Sequence, residues 1–477
     1  MSKFHSMVSR RDFMKGLGLV GTGVGVTSLV APVYHDIDEL IASPSAAQNH
    51  PWWIKERELE NPTVEVDWSL MYRSDGLWTG QQPSCTDYFI GKEERLRRSK
   101  IASDFSNNAL KNNTPGLDLK ASALSGGGLQ ATALMGFICP QKAATPESKG
   151  VPKYQGSPEE NSKIVRAATI FYGAAQVGMG EITDRIKAKL LRDKDKAPSN
   201  KKYVFEDVPV GYEGTDKLVF PANVPLYDFA MNVPMSKEMY RTSPASNIQG
   251  AANGSRYSRF SLIQPRIQLF LAGLGYTCYG YTQVYNGAIP SAAACNLQGL
   301  GEGGRNNGVF INAEYGPCVG CFSLVTDLPL APTNPIDAGI WRFCQTCHKC
   351  ANACPTGSIS NDKEPSWEIP PIYGKADNTH IPGRKEFWTN GIDCWNSKGM
   401  YGGCANCMGT CTFNTSQSSI HQIVRATLAT TPMFNSYLWN LDNTFSYGLH
   451  EDKDAWWHMS QPTYGFDSTI HVKGGNY

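Results

Sequence analysis

Apolar residues recur at helical spacing from Asn161 onward. Ile164, Ala167, Ala168, Phe171 and Ala175 share one face, and Gly178 and Gly180 close the run. Residues 181–192 predict a second helix with Ile182, Ile186, Leu190 and Leu191 on its apolar side. Tyr203-Val-Phe205 predicts a strand, since aromatic and β-branched side chains suit a pleated surface. A further helix is expected over 261–274, started or kinked by Pro265 and stopped at Gly273 and Gly275. Residues 276–284 then read as a strand. This alternation predicts an α+β or α/β core over 161–335. Before it, 48–160 carry Trp52, Trp53, Trp68, Trp78 and Tyr88 among glycines, prolines and short polar runs, so an irregular region with short helices is expected. After 425, Phe434, Tyr437, Trp439, Phe445, Tyr447, Trp456 and Trp457 stand among polar residues, as a wrap over a site or a packing strap.

Composition changes this picture in two places. Lys+Arg 44 against Asp+Glu 43 leaves no basic field, which removes the electrostatic case for nucleic acid. The first 47 residues are an address: Ser9-Arg10-Arg11-Asp12-Phe13-Met14-Lys15 is a twin-arginine signal, followed by an apolar run over 16–33. That run is too rich in glycine for a good membrane helix, and Ser45-Ala46-Ala47 offers a cleavage site; an uncleaved anchor is the alternative. The route exports folded proteins, so thiols loaded with metal in the reducing cytosol would travel intact.

The chemistry sits in 336–425. Cys344-Gln-Thr-Cys347-His-Lys-Cys350-Ala-Asn-Ala-Cys354-Pro355 is the C-x2-C-x2-C-x3-C-P run of two-cluster ferredoxins, in which the fourth cysteine serves the other cluster. Cys394, Cys404, Cys407 and Cys411 follow and complete the set. The expectation is two [4Fe–4S] clusters, one on Cys344, Cys347, Cys350 and Cys411, the other on Cys354, Cys394, Cys404 and Cys407. A zinc site would take two close pairs of ligands instead. Cys318-Val-Gly-Cys321 is a lone pair, and buried thiols are the plainer reading. No convincing flavin or nicotinamide fingerprint accompanies the clusters.

The twin-arginine signal, Phe171-Tyr-Gly-Ala-Ala175, Gly273-Leu-Gly-Tyr276, Gly299-Leu-Gly-Glu302-Gly-Gly-Arg305, Thr326-Asp-Leu-Pro-Leu330 and the cysteine set together resemble the corrinoid-dependent respiratory reductive dehalogenases. The resemblance implies an α+β fold, with a nitroreductase-like corrinoid-binding core and a ferredoxin-like two-cluster domain. It implies a cobamide bound base-off, and Asp377-Asn-Thr-His380-Ile-Pro-Gly383 departs by one residue from the histidine-donating corrinoid motif. His380 is therefore expected to serve packing. The implied corrinoid contacts are Tyr172, Gly173, Asn286, Pro290 and Glu302. The implied catalytic pair is a tyrosine proton donor, Tyr240 with Tyr257 as rival, and the cation Arg305, which would favour the phenolate. An asparagine that some members carry before Leu-Gly-Tyr is replaced by Gln268 and Leu269. The implied substrate is a chlorinated ethene or aromatic. A small integral-membrane anchor would hold the protein on the outer face of the cytoplasmic membrane, with electrons from the quinone pool. An exported iron–sulfur relay without substrate, and an enzyme like epoxyqueuosine reductase, are the competing expectations.

Overall fold

A computed structural model of the chain describes residues 50–465 apart from 52, 127, 129, 286, 307–309, 415–418, 432, 434, 436–447 and 462–464. The export signal, Asn286 and most of the C-terminal aromatics fall outside the described residues.

The N-terminal region holds α1 (Pro83–Ile90), α2 (Lys92–Lys111) and α3 (Leu119–Gly126). Its short helices are joined by one of 20 residues, α2, which the hydrophobic pattern does not announce because Ala109 alone is buried. Charge ties it down instead: Arg98 bridges Glu94 within the helix at 2.9 Å and Asp393 across to the cysteine segment at 2.8 Å.

The core begins with α4 (Pro158–Phe171), capped by the Ser157 hydroxyl, which accepts from the Glu160 N–H. Gly178 and Gly180 do not end this helix; they lie in strand β1 (Gln176–Glu181), where a Cβ on Gly178 would meet the Gln298 carbonyl oxygen at 2.4 Å. Then come α5 (Asp184–Lys189), β2 (Lys202–Glu206), β3 (Tyr212–Glu213), β4 (Lys217–Pro221) and β5 (Tyr227–Pro234). Helix α6 (Lys237–Arg241) and the 28-residue α7 (Asn247–Leu274), with Pro265 inside it, lead to β6 (Cys278–Tyr279), α8 (Ser291–Leu297) and β7 (Val319–Thr326). The expected strand over 276–284 is thus two residues long, and the 261–274 helix starts far earlier.

The central sheet runs β1-β5-β7-β6 with every neighbour antiparallel. Period-two alternation splits its side chains. Phe229, Met231, Val233, Phe322 and Leu324 pack on Phe260, Ile263, Ile267 and Leu271 of α7. Ala230, Val319 and Val325 face Ile186, Tyr203, Phe220 and Cys295. The fold is a mixed α/β one. Among the described residues no helix is long and apolar enough to cross a membrane.

Candidate active site and cysteine cradle

Cys344 lies in α9 (Ile340–Thr346) and Cys347 caps its C-terminus, while Cys350 lies in the short helix that follows. These three and Cys411 line one cavity of about 290 Å³, together with Arg305, Phe343 and Phe413. Burial drives the Cys411 thiol well above its usual range, and Cys344, Cys350 and Cys347 push the same way. The other four form a second group. Cys394 is raised to about 11 by burial and by Cys354 and Cys404 beside it. Cys407 is raised by burial, by Cys350, and by Cys394, Cys404 and Cys354. Four thiols thus line one cavity and the other four neighbour one another, with Cys407 also lying against Cys350. Among the described residues no three His, Cys, Asp or Glu side chains close on a point as a single ion requires. The first set rings a space, which suits the corners of a cluster.

The Gly-Leu-Gly-Glu-Gly-Gly-Arg motif serves this cradle. A Cβ on Gly301 would stand 2.3 Å from the Ile311 carbonyl oxygen, so only glycine fits there. The buried Glu302 carboxylate accepts from the N–H groups of Ala338 (2.6 Å), Ile340 (3.1 Å) and Trp341 (3.2 Å), and from the Thr63 hydroxyl (2.7 Å). These are the orphan donors at the start of α9. Glu302, expected on the corrinoid, is thus a helix anchor. Arg305 is 0% exposed. Its Nε donates to the carbonyls of Cys344 (3.1 Å) and Cys347 (3.0 Å), Nη1 to those of Ser360 (2.9 Å) and Asp362 (2.8 Å), and Nη2 to that of Gln345 (3.3 Å). Its guanidinium lies 3.7 Å from the Phe387 ring centre. The expected pairing of Arg305 with Tyr240 is not made, because these donors are committed to the cysteine segment.

Tyr240 has a different cation. The tyrosine is 1% exposed, and its hydroxyl lies 3.3 Å from Asn253 Oδ1 and 3.2 Å from Met235 Sδ. Helix α7 projects Asn253, Arg256 and Tyr257 from one face, at i, i+3 and i+4. Arg256 Nη2 donates to the Tyr257 hydroxyl at 2.8 Å, and its Nε is closed off from solvent without a partner. Burial raises the Tyr240 phenol strongly, and Arg256 opposes this without cancelling it. The lowered phenol expected from a neighbouring cation is thus reversed. Asn253, the partner of the Tyr240 hydroxyl, carries no motif that would single it out in the sequence. It stands on the tyrosine side of α7, not beside Leu-Gly-Tyr.

This group adjoins the second cysteine set. The Lys398 ammonium sits 3.3 Å above the Trp395 ring, next to Cys394, with Cys404 and Arg256 among its charged neighbours. The Ser243 hydroxyl donates to Asn406 Oδ1 (2.8 Å) and accepts from the Ala405 N–H (2.7 Å). A Cβ on Gly409 would stand 2.5 Å from the Tyr240 carbonyl oxygen.

Other expected contacts disperse. Tyr172 caps the C-terminus of α4 and packs on the α7 side of the sheet, and Gly173 turns with φ 121°. Pro290 opens α8, its carbonyl accepting from Ala294. None of the three is brought to Tyr240 by a bond described for it. His380 Nδ1 is 2.7 Å from Asp377 Oδ2, which also accepts from Trp388 Nε1. Cys318 immediately precedes β7 and Cys321 lies within it; they pack in different apolar clusters, and both thiols are free.

A family model described as the reductive dehalogenase subunit matches residues 49–330. The chloroethene reductive dehalogenase of Dehalococcoides mccartyi (strain VS) is 30% identical over 98% of this chain and 99% of its own. The trichloroethene reductive dehalogenase of Dehalococcoides mccartyi (strain ATCC BAA-2266 / KCTC 15142 / 195) is 29% identical over 97% and 98%. A solved structure titled "Reductive dehalogenase structure suggests a mechanism for B12-dependent dehalogenation" superposes with a TM-score of 0.60 at 18% identity, over 88% of this chain and 52% of that one.

Proposed function

From the premise that the chain belongs to the reductive dehalogenase family and is an oxidoreductase acting on carbon–halogen bonds, we propose that it removes chloride from a chlorinated ethene. The overall change is R–X plus two electrons and a proton, giving R–H and halide. One observation carries the reading: Arg256, with a buried and unpartnered Nε, stands between two phenols and beside the second cysteine set. A proton donor, an anion acceptor and an electron supply then share one place. The substrate class comes from the relatives, which are named for chloroethene and trichloroethene.

Two groups complete the site. Two [4Fe–4S] clusters on the cysteine sets would supply electrons singly, and a nearby corrinoid, carried base-off, would supply cobalt chemistry at the carbon–halogen bond. The ring of thiols around the first cavity suits a cluster. Tyr285, 44% exposed and edge-on to Tyr257, continues to Phe322 as an apolar wall suited to a flat macrocycle.

The chain's own residues do the rest. Tyr240, kept protonated by burial, gives its proton to the carbon. Asn253 holds the hydroxyl in place. Arg256 offsets charge on the phenolate left behind and receives the departing halide through Nε, since a fixed buried donor acts more strongly than one in water. The antiparallel sheet under α7 suits a nitroreductase-like core, and the paired sets suit a ferredoxin-like domain. The twin-arginine signal supports work on the outer face of the cytoplasmic membrane, with a small membrane protein as anchor and the quinone pool as electron source.

A panel of chlorinated ethenes and chlorinated aromatics with reduced viologen, read as halide release, tests this. Release from the ethenes is expected, in protein holding about one cobalt per eight irons. Iron alone, with no halide from any compound, would leave an electron relay.

A further inference from the structure

Glu302 and Arg305 grip opposite ends of one helix. Glu302 accepts from N–H groups where α9 begins, and Arg305 donates to carbonyls where it ends. Each charge has the sign that complements the helix dipole at its end. Arg305 reaches further, to the carbonyls of Ser360 and Asp362, and so ties the segment beyond Cys354 to the same point. Its five bonds are all to main-chain oxygens of the cysteine segment, which fixes where the thiols stand without consuming them. In the cavity wall it stands as a buried cation beside four thiols.

We infer that Arg305 is a positioning residue for the first iron–sulfur centre: it holds Cys344, Cys347 and Cys350 as an open ring and raises the reduction potential of the cluster there. This rests on the reading of that cavity as a cluster site. The second half of the inference follows from Coulomb's law. Reduction adds one electron to the cluster and transfers no atom, and a fixed positive charge nearby in a low dielectric favours the more negative state. Cluster potentials respond to local charge, hydrogen bonding and exposure. The assignment replaces a role on the substrate with a role on the electron supply.

Holoenzyme carrying Arg305→Met or Arg305→Lys is compared with wild type for iron and sulfide content and for the midpoint potential of each centre, by EPR-monitored titration with dithionite. In Arg305→Met the first centre is expected to be lost or to become at least tenfold harder to reduce, a negative shift of about 59 mV for one electron. The second centre should keep its signal. Arg305→Lys retains the charge without the five-donor fan. It should hold less iron at the first centre while the remaining clusters stay nearer the wild-type potential. Both centres fully occupied at wild-type potentials in Arg305→Met, with halide release alone abolished, would overturn the inference and return Arg305 to the substrate. Where Arg305→Met does not accumulate, full occupancy of the first centre in Arg305→Lys has the same force. Wild-type protein with far fewer than about eight irons would sink the cluster reading itself, whatever the variants do.

Discussion

A phenol enclosed by apolar side chains keeps its proton, because the phenolate would lose its hydration without full compensation. Tyr240 is in that position, between Met235, Met239 and Ile248, and Arg256 recovers only part of the loss. Tyr240→Phe is therefore expected to cut viologen-driven halide release by about 10²–10⁴-fold, the usual worth of a positioned general acid, with iron and cobalt content unchanged. Tyr257→Phe, which leaves the buried phenol in place, should cost far less. Since burial raises the Tyr240 pKa, wild-type activity should show no alkaline limb at the ordinary phenol value of about 10. Equal loss in both variants, or an alkaline limb near about 10 that Tyr257→Phe removes, would name the wrong donor. The sequence singles out Tyr240, with Tyr257 as rival, but not Arg256 beside them. A motif such as Gly-Leu-Gly-Glu-Gly-Gly-Arg signals that an arginine is required without saying which atoms it meets. Arg256 stands in a run of Asn, Ser and Arg that carries no motif at all.

At the scale of elements, the pattern of apolar residues found what packs and missed what serves the site. The 261–274 half of α7 is periodic because Ile263, Ile267 and Leu271 face the sheet. Its first half turns Asn253, Arg256 and Tyr257 toward Tyr240, and polar side chains aimed inward break the amphipathic signal. Strands β5 and β7 are covered on both faces, so they show a nearly continuous apolar run without the alternation that marks a half-exposed strand. The short helix Asn406–Gly409 returns the chain from Cys404 and Cys407 to the Tyr240 backbone. Gly409→Ala would put a methyl group 2.5 Å from the Tyr240 carbonyl oxygen, where backbone has no room to yield. A cost of about 1–3 kcal/mol is expected, with a lower Tm and slower halide release at unchanged iron content. A variant with wild-type melting and turnover would show that this contact does not fix the tyrosine.

For the whole molecule, the cysteine-rich segment was legible, since ligand spacing is a local property of the chain. How that segment meets the core was not, because contacts such as Arg98 to Asp393 and Ser243 to Asn406 join residues far apart in sequence. The proposed export signal at the N-terminus makes its own prediction. Arg10→Lys with Arg11→Lys should leave the protein in the cytoplasm, with halide release in extracts undiminished. Fractionation with an impermeant electron donor on intact cells would then find no activity. Export of the doubly substituted protein would place the address elsewhere. A last consequence lies in the grip on α9. The bonds from Arg305 to Cys344 and Cys347 span 39 and 42 residues, and those from Glu302 span 36 to 39. Closing such loops costs entropy that only a formed core can repay. A nascent chain thus presents its thiols as a ring only once residues 302–305 are seated, which sets an order of events: the core folds, the cradle closes, and the proposed clusters would be loaded last. Metal loading then reports on folding, and a chain released before its core is complete has no finished cradle to offer iron.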